Sequence, residues 1–132
     1  MRQQYHSRKT PNGHYIWDVN TLVKLITDLP VKTVDLADIK ELHEADYWFD
    51  AGNAATPYKI AEHAKLIQNT DLGYPIILCA DGRVMDGMHR CCKALIEGRA
   101  TVEAVQFEKT PDPDYIDVNL DDLPYEDDGT VL

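Results

Sequence analysis

The run YPIILCADGRVMDGMHRCCKALIEG, residues 74 to 98, constrains this chain more than any other stretch. It opens on a continuous apolar segment, the pattern of a strand covered on both faces. Asp81-Gly82 is a two-residue hairpin signal, so Arg83, Val84 and Met85 should return beside that strand. At Asp86-Gly87 the period changes from two to 3.6. Met88, Cys91, Cys92, Leu95 and Ile96 then fall at the spacing of one helix face, and Gly98 is placed to stop the helix. A hairpin that feeds straight into a helix leaves little freedom in how the surrounding chain can pack.

The neighbouring segments fit the same frame. NTLVKLITDLP reads as a short amphipathic helix capped by Asn20, with Leu22, Val23, Leu25, Ile26 and Leu29 inward and Pro30 ending it. VKTVDL alternates as a strand. Residues 37 to 54 read as irregular, held to the body by Tyr47, Trp48 and Phe49. TPYKIAEHAKLIQNT is the clearest helix, with Thr56 as cap, Pro57 at the first position, and Ile60, Ala61, Ala64 and Ile67 as its buried stripe. TVEAVQF is the last strand. The expected class is a compact mixed α/β (α+β) fold with a small sheet flanked by helices. One domain is expected over residues 1–110, followed by an acidic C-terminal tail over 111–132.

Charge is uneven. The net charge is −10, and eight acids with no Lys or Arg lie in residues 111 to 132. Before them, thirteen basic residues face fifteen acidic ones. Phosphate backbones demand clustered Lys and Arg, and only Arg2, Arg8 and Lys9 group at all, so a DNA-binding role is disfavoured. The tail could contact a basic protein partner, although most such tails are simply solvated. No apolar run is long enough to span a membrane and no signal peptide opens the chain, so a cytoplasmic location is expected. Three cysteines, two of them adjacent, fit a reducing compartment without disulfides. Cys91 and Cys92 are expected in the core. A zinc site lacks ligand pairs at the needed spacing.

The helix opening at Asp86-Gly87 is the strongest candidate site. A first helical turn exposes N–H groups without intrahelical partners and carries about +0.5 charge. Gly87 allows close approach, His89 adds a titratable ring and Arg90 a guanidinium fork. The structural alternative has Asp86 capping the helix and Arg90 paired with an acid. Glu41, Glu44 and Asp46 stand beside bulky aromatics, where burial can bring a carboxylate toward general-base duty; the alternative is solvated loop charge. His43, His63, Trp17 and Trp48 read as packing or surface residues.

Residues 74 to 107, with D-G-M-H-R at their centre, resemble the ParB/sulfiredoxin-like superfamily. The upstream VKTVDLADIKEL resembles that family's first strand and lead-in, so the likeness spans most of residues 31 to 107. It implies a phosphate-binding turn on Gly87, His89 and Arg90, extended to Asp86 and Met88, that holds a nucleoside di- or triphosphate with Mg²⁺. Two departures narrow it, and a third branch of the family supplies a match. Met88 stands where sulfiredoxins carry their catalytic cysteine. An acidic tail follows where partition ParB proteins have a helix-turn-helix. Glu41 or Glu44 corresponds to the glutamate base of the free-serine kinases. The expected function is NTP hydrolysis or phosphoryl transfer to a small hydroxylated substrate, with Glu44, Glu41 and His89 as catalytic candidates. The alternatives are a nucleotide-switched adaptor and, behind it, a nuclease.

Overall fold

The computed structural model describes residues 3–125. Seven strands and three α-helices form an α+β fold around two sheets. β1 (Tyr5–Thr10) and β2 (Gly13–Asp18) make a hairpin, followed by α1 (Val19–Leu25) and β3 (Lys32–Asp35). Two 3-10 turns, Leu36–Asp38 and Lys40–His43, lead through a loop to α2 (Pro57–Asn69). β4 (Ile76–Leu78), β5 (Val84–Asp86), α3 (Met88–Ile96) and β6 (Thr101–Gln106) follow, with β7 (Tyr115–Ile116) last.

The main sheet has the order β3-β6-β4-β5, with β4 and β6 parallel and the other pairs antiparallel. β4 and β5 are the expected hairpin, turned at Gly82 (φ +84°). α3 is the crossover that returns the chain to β6, parallel to β4. β4 is buried on both faces. Ile76 and Leu78 join Val84, Met88, Cys91, Ala94 and Val102 on one side, while Ile77 and Cys79 join Trp17, Leu22, Met85 and Phe107 on the other. α3 therefore covers one face, and α1 with the β1-β2 hairpin covers the other.

Several local expectations shift. α1 is capped by Asp18, whose side chain accepts from Asn20 N–H (2.8 Å), and not by Asn20. Its stripe narrows to Val19, Leu22, Ile26 and Leu29, leaving Val23 and Leu25 exposed. α2 starts as expected, with Thr56 capping Lys59 N–H. It buries no residue, however, and Ile60 is 54% exposed. The helix lies at the edge of the molecule and meets α3 through its His63 side, so the Ile60–Ala61–Ala64 stripe has no sheet beneath it. On α3 the buried set is Met88, Arg90, Cys91 and Ala94, with Leu95 and Ile96 exposed. Apolar spacing placed Met88 and Cys91 correctly but mistook the C-terminal end of that helix, which runs past the three-residue strands β4 and β5.

The acidic segment is integral as far as Tyr125. β7 pairs with β2, Trp17 Nε1–H donates to the Pro111 carbonyl (2.9 Å), and Asp114 and Asp117 accept from Asp18 and His14 N–H (2.7 Å each). Leu123 is buried, and Tyr5 donates to the Pro124 carbonyl while its ring meets Tyr115 and Tyr125 edge-on. Short carboxylates reaching backbone N–H groups attach this stretch to the fold. The remaining acids, Glu126, Asp127 and Asp128, lie outside the described residues. Among the described residues no helix is long and apolar enough to cross a membrane.

Candidate functional site

α3 begins at Gly87, whose φ of +111° disfavours any L side chain. A Cβ there would stand 2.6 Å from Ile76 Cγ2 and 2.9 Å from Arg90 Nη2. Glycine is thus required twice, by the backbone angle and by the close packing of Ile76 and Arg90. No side chain caps this helix, and its first ladder bond is Cys91 N–H to the Gly87 carbonyl (3.0 Å). The preceding N–H groups of Met88, His89 and Arg90 therefore have no intrahelical acceptor.

This uncapped end opens on a cavity of about 590 Å³. Asp86, Gly87, Met88 and His89 form one wall, and Glu41, Glu44, Asp46, Tyr47 and Trp48 form another. The run from Gln4 to Lys9 along β1, the outer strand of its sheet, forms the third. Arg83 and Val84 contribute from the hairpin. The sequence brings its acids and its glycine turn to one place, as the spacing alone could not establish.

Arg90 is the exception. It is 8% exposed and does not line the cavity; its Nη2 meets Asp86 Oδ2 at 2.8 Å, and its Nε is buried without a hydrogen-bond partner. The i,i+4 pair locks the turn from behind. Lys93 is likewise engaged, donating to the carbonyls of Gln68 (3.1 Å) and Thr70 (2.7 Å), where it closes the C-terminal end of α2.

The two glutamates differ sharply. Glu41 is 3% exposed and accepts the N–H of Val84. Glu44 is exposed and forked by Arg83, with Nη1–Oε1 and Nη2–Oε2 both at 3.0 Å. Burial, followed by the nearby Glu41, holds the Tyr47 phenol protonated far above its ordinary range. Burial drives the Cys91 thiol up to about 12 and also raises Cys92, as expected of core thiols. All three cysteines are free.

His89 does not stand alone. Its Nε2 is 2.8 Å from Nδ1 of His63, and the Trp48 indole stacks over both imidazoles, 4.6 Å from His89 and 4.3 Å from His63. Trp48 and His63, expected as packing residues, thus position a site residue. The missed participants are His6, Arg8 and Lys9 on β1 and Arg83 in the hairpin. Arg8 and Lys9 carried a faint signal as part of the chain's one basic grouping. Nothing local tied β1 to a turn eighty residues away.

Among the described residues no three His, Cys, Asp or Glu side chains gather closely enough to hold a metal ion. Comparison of this chain with protein-family models, with curated proteins and with solved structures gives no match.

Proposed function

We propose that the cavity is a nucleotide site of the ParB/sulfiredoxin-like kind, used for NTP hydrolysis or for phosphoryl transfer to a small hydroxylated substrate. The observation that carries this reading is the uncapped N-terminus of α3 facing the buried Glu41 across one cavity. The N–H groups of Met88, His89 and Arg90 supply donors and a positive dipole end for phosphate oxygens. Gly87 keeps the approach clear. Arg90 acts behind the turn by holding Asp86, and its guanidinium is not a direct phosphate ligand in this proposal.

Glu41 is the preferred base. It is shielded from solvent, anchored by Val84 N–H and in no ion pair among the described residues, with the Arg83 charge nearby, whereas Glu44 is tied to Arg83. In phosphoryl transfer a carboxylate of this kind accepts the proton of the attacking water or hydroxyl. His89, fixed by His63 and Trp48, lies at the same wall and can hydrogen-bond a phosphate oxygen. The described residues build no cluster of cation ligands. A Mg²⁺ brought by the nucleotide needs only one or two carboxylates besides phosphate and water, and Asp46, which lines the cavity, can supply one while Glu41 stays the base.

Calorimetry and a phosphate-release assay with ATP, ADP, CTP and GTP in Mg²⁺ test the proposal. Glu41→Gln should keep binding and lower turnover by roughly 10²–10⁴-fold, the usual range for losing a general base. Unchanged turnover in that variant would remove Glu41 from the role.

One observation favours a second reading, a nucleotide-switched adaptor without turnover. Arg90 and His89 are both held by protein partners, which suits a binding turn more than a reacting one. Saturable nucleotide binding with no phosphate release would select it. Deleting residues 111–132 cannot test an acidic interaction surface, because residues 111 to 117 of that segment are tied to the β1-β2 sheet. Asp121→Asn with Asp122→Asn leaves those contacts intact and should weaken capture of a basic partner.

A further inference from the structure

Among the described residues Arg8 is a cation without a paired carboxylate. Its Nε–H donates to His6 Nε2 (2.8 Å), its Nη1 lies 3.4 Å from Cys79 Sγ, and its Cζ sits 5.6 Å from the centre of the Trp17 ring. Its Nη2 is buried without a hydrogen-bond partner, and no carboxylate among the described residues pairs with it. Arg83 is near enough that its charge, with that of Arg8, acts on His6, and its carbonyl accepts the backbone N–H of Cys79 (2.9 Å). Both line the cavity, at its β1 side.

The local chemistry is arranged around this pair. Burial, then the charges of Arg8 and Arg83, bring the His6 pKa down to about 3, so the ring is neutral and presents a lone pair that orients Arg8. Burial raises the Cys79 thiol, but hydrogen bonds from Arg8 and from the backbone outweigh it and leave Cys79 below its ordinary value. Glu44 is the carboxylate paired with Arg83, and it is exposed, while the charge of buried Glu41 also reaches Arg83. Exposed ion pairs of this kind are weak and readily exchanged. Two guanidiniums lining one cavity, one with no paired carboxylate among the described residues, suit planar or tetrahedral oxyanions.

We infer that the Arg8–Arg83 end of the cavity is an oxyanion subsite, binding a carboxylate or phosphate group of a small ligand, with Glu44 as the internal carboxylate that the ligand displaces from Arg83. The Arg8 half of the subsite is built on β1, outside the segment that carries the phosphate turn, while Arg83 comes from the hairpin that feeds that turn, and neither needs the α3 end to hold a nucleotide. A ligand reaching both ends would carry two anionic groups.

Titration of the intact protein with inorganic phosphate and, separately, with malonate tests it, followed by the Nε–H resonances of Arg8 and Arg83. The expected result is a saturable shift of both resonances, the tighter probe naming the preferred group. Arg8→Gln and the solvent-exposed Arg83→Gln should each weaken binding at least tenfold; the second guards against a folding defect in the first. Glu44→Gln should tighten binding several-fold, and more than Asp46→Asn, which removes a cavity charge that Arg83 does not hold. Shifts that do not saturate, affinity in both arginine variants unchanged from the unsubstituted protein, or no difference between Glu44→Gln and Asp46→Asn would each overturn the subsite. Failure of nucleotide binding would leave these outcomes unchanged.

Discussion

Gly87, Asp86 with Arg90, and His6 set three distinct sensitivities. At Gly87 a methyl group meets both a positive φ and a 2.6 Å contact with Ile76. Gly87→Ala should cost about 1–3 kcal/mol from strain and overpacking, read as a lower denaturation midpoint. Asp86→Ala leaves the buried Arg90 charge uncompensated, with a cost of about 3–5 kcal/mol expected for breaking such a pair; chemical denaturation measures it. For His6 the sign follows from a folded pKa of about 3 against 6.5 unfolded. The unfolded chain takes up the proton first, so stability falls as pH drops below 6.5 and continues to fall until about 3. The slope approaches about 1.4 kcal/mol per pH unit, or about 2 kcal/mol between pH 7 and pH 5. Denaturation at those two pH values should show a smaller difference in His6→Gln, which keeps an acceptor for Arg8 without titrating.

At the level of elements, the hairpin-to-helix unit β4-β5-α3 is the fold's organiser and α2 is its periphery. Ile76 on β4 is fully buried, so Ile76→Ala should cost about 2–5 kcal/mol, whereas Ile60→Ala on α2 should stay within about 0.5 kcal/mol. Equal effects in urea titrations would contradict this division. The hairpin was legible because Asp81-Gly82 and the apolar run act locally, through turn geometry and two-sided burial. The periphery was not. Ile60, Leu95 and Ile96 carry helical spacing, yet what lies beneath them depends on a sheet whose width no local pattern encodes. The acidic segment misled for a related reason: Asp114 and Asp117 read as solvated charges, while their short side chains reach the backbone of β2 and α1's cap.

For the molecule as a whole, half of the candidate site was readable and half was not. Asp86, Gly87, Met88 and His89 lie contiguously at a helix start, and that contiguity is visible in the chain. Glu41 was a candidate among three acids, and only packing separates it from Glu44, by burying one and giving the other to Arg83. The β1 wall, with Arg8 and His6, comes from a hairpin distant in sequence and could be joined to the turn only by the tertiary fold. These parts line one cavity, and the central proposal places phosphates over α3. Its most direct test is calorimetric titration of the protein with Mg²⁺-nucleotides, comparing the intact chain with Glu41→Gln. Saturable one-to-one binding of at least one nucleotide to both proteins is the required result; no heat of binding from any nucleotide, with no phosphate released, would contradict it.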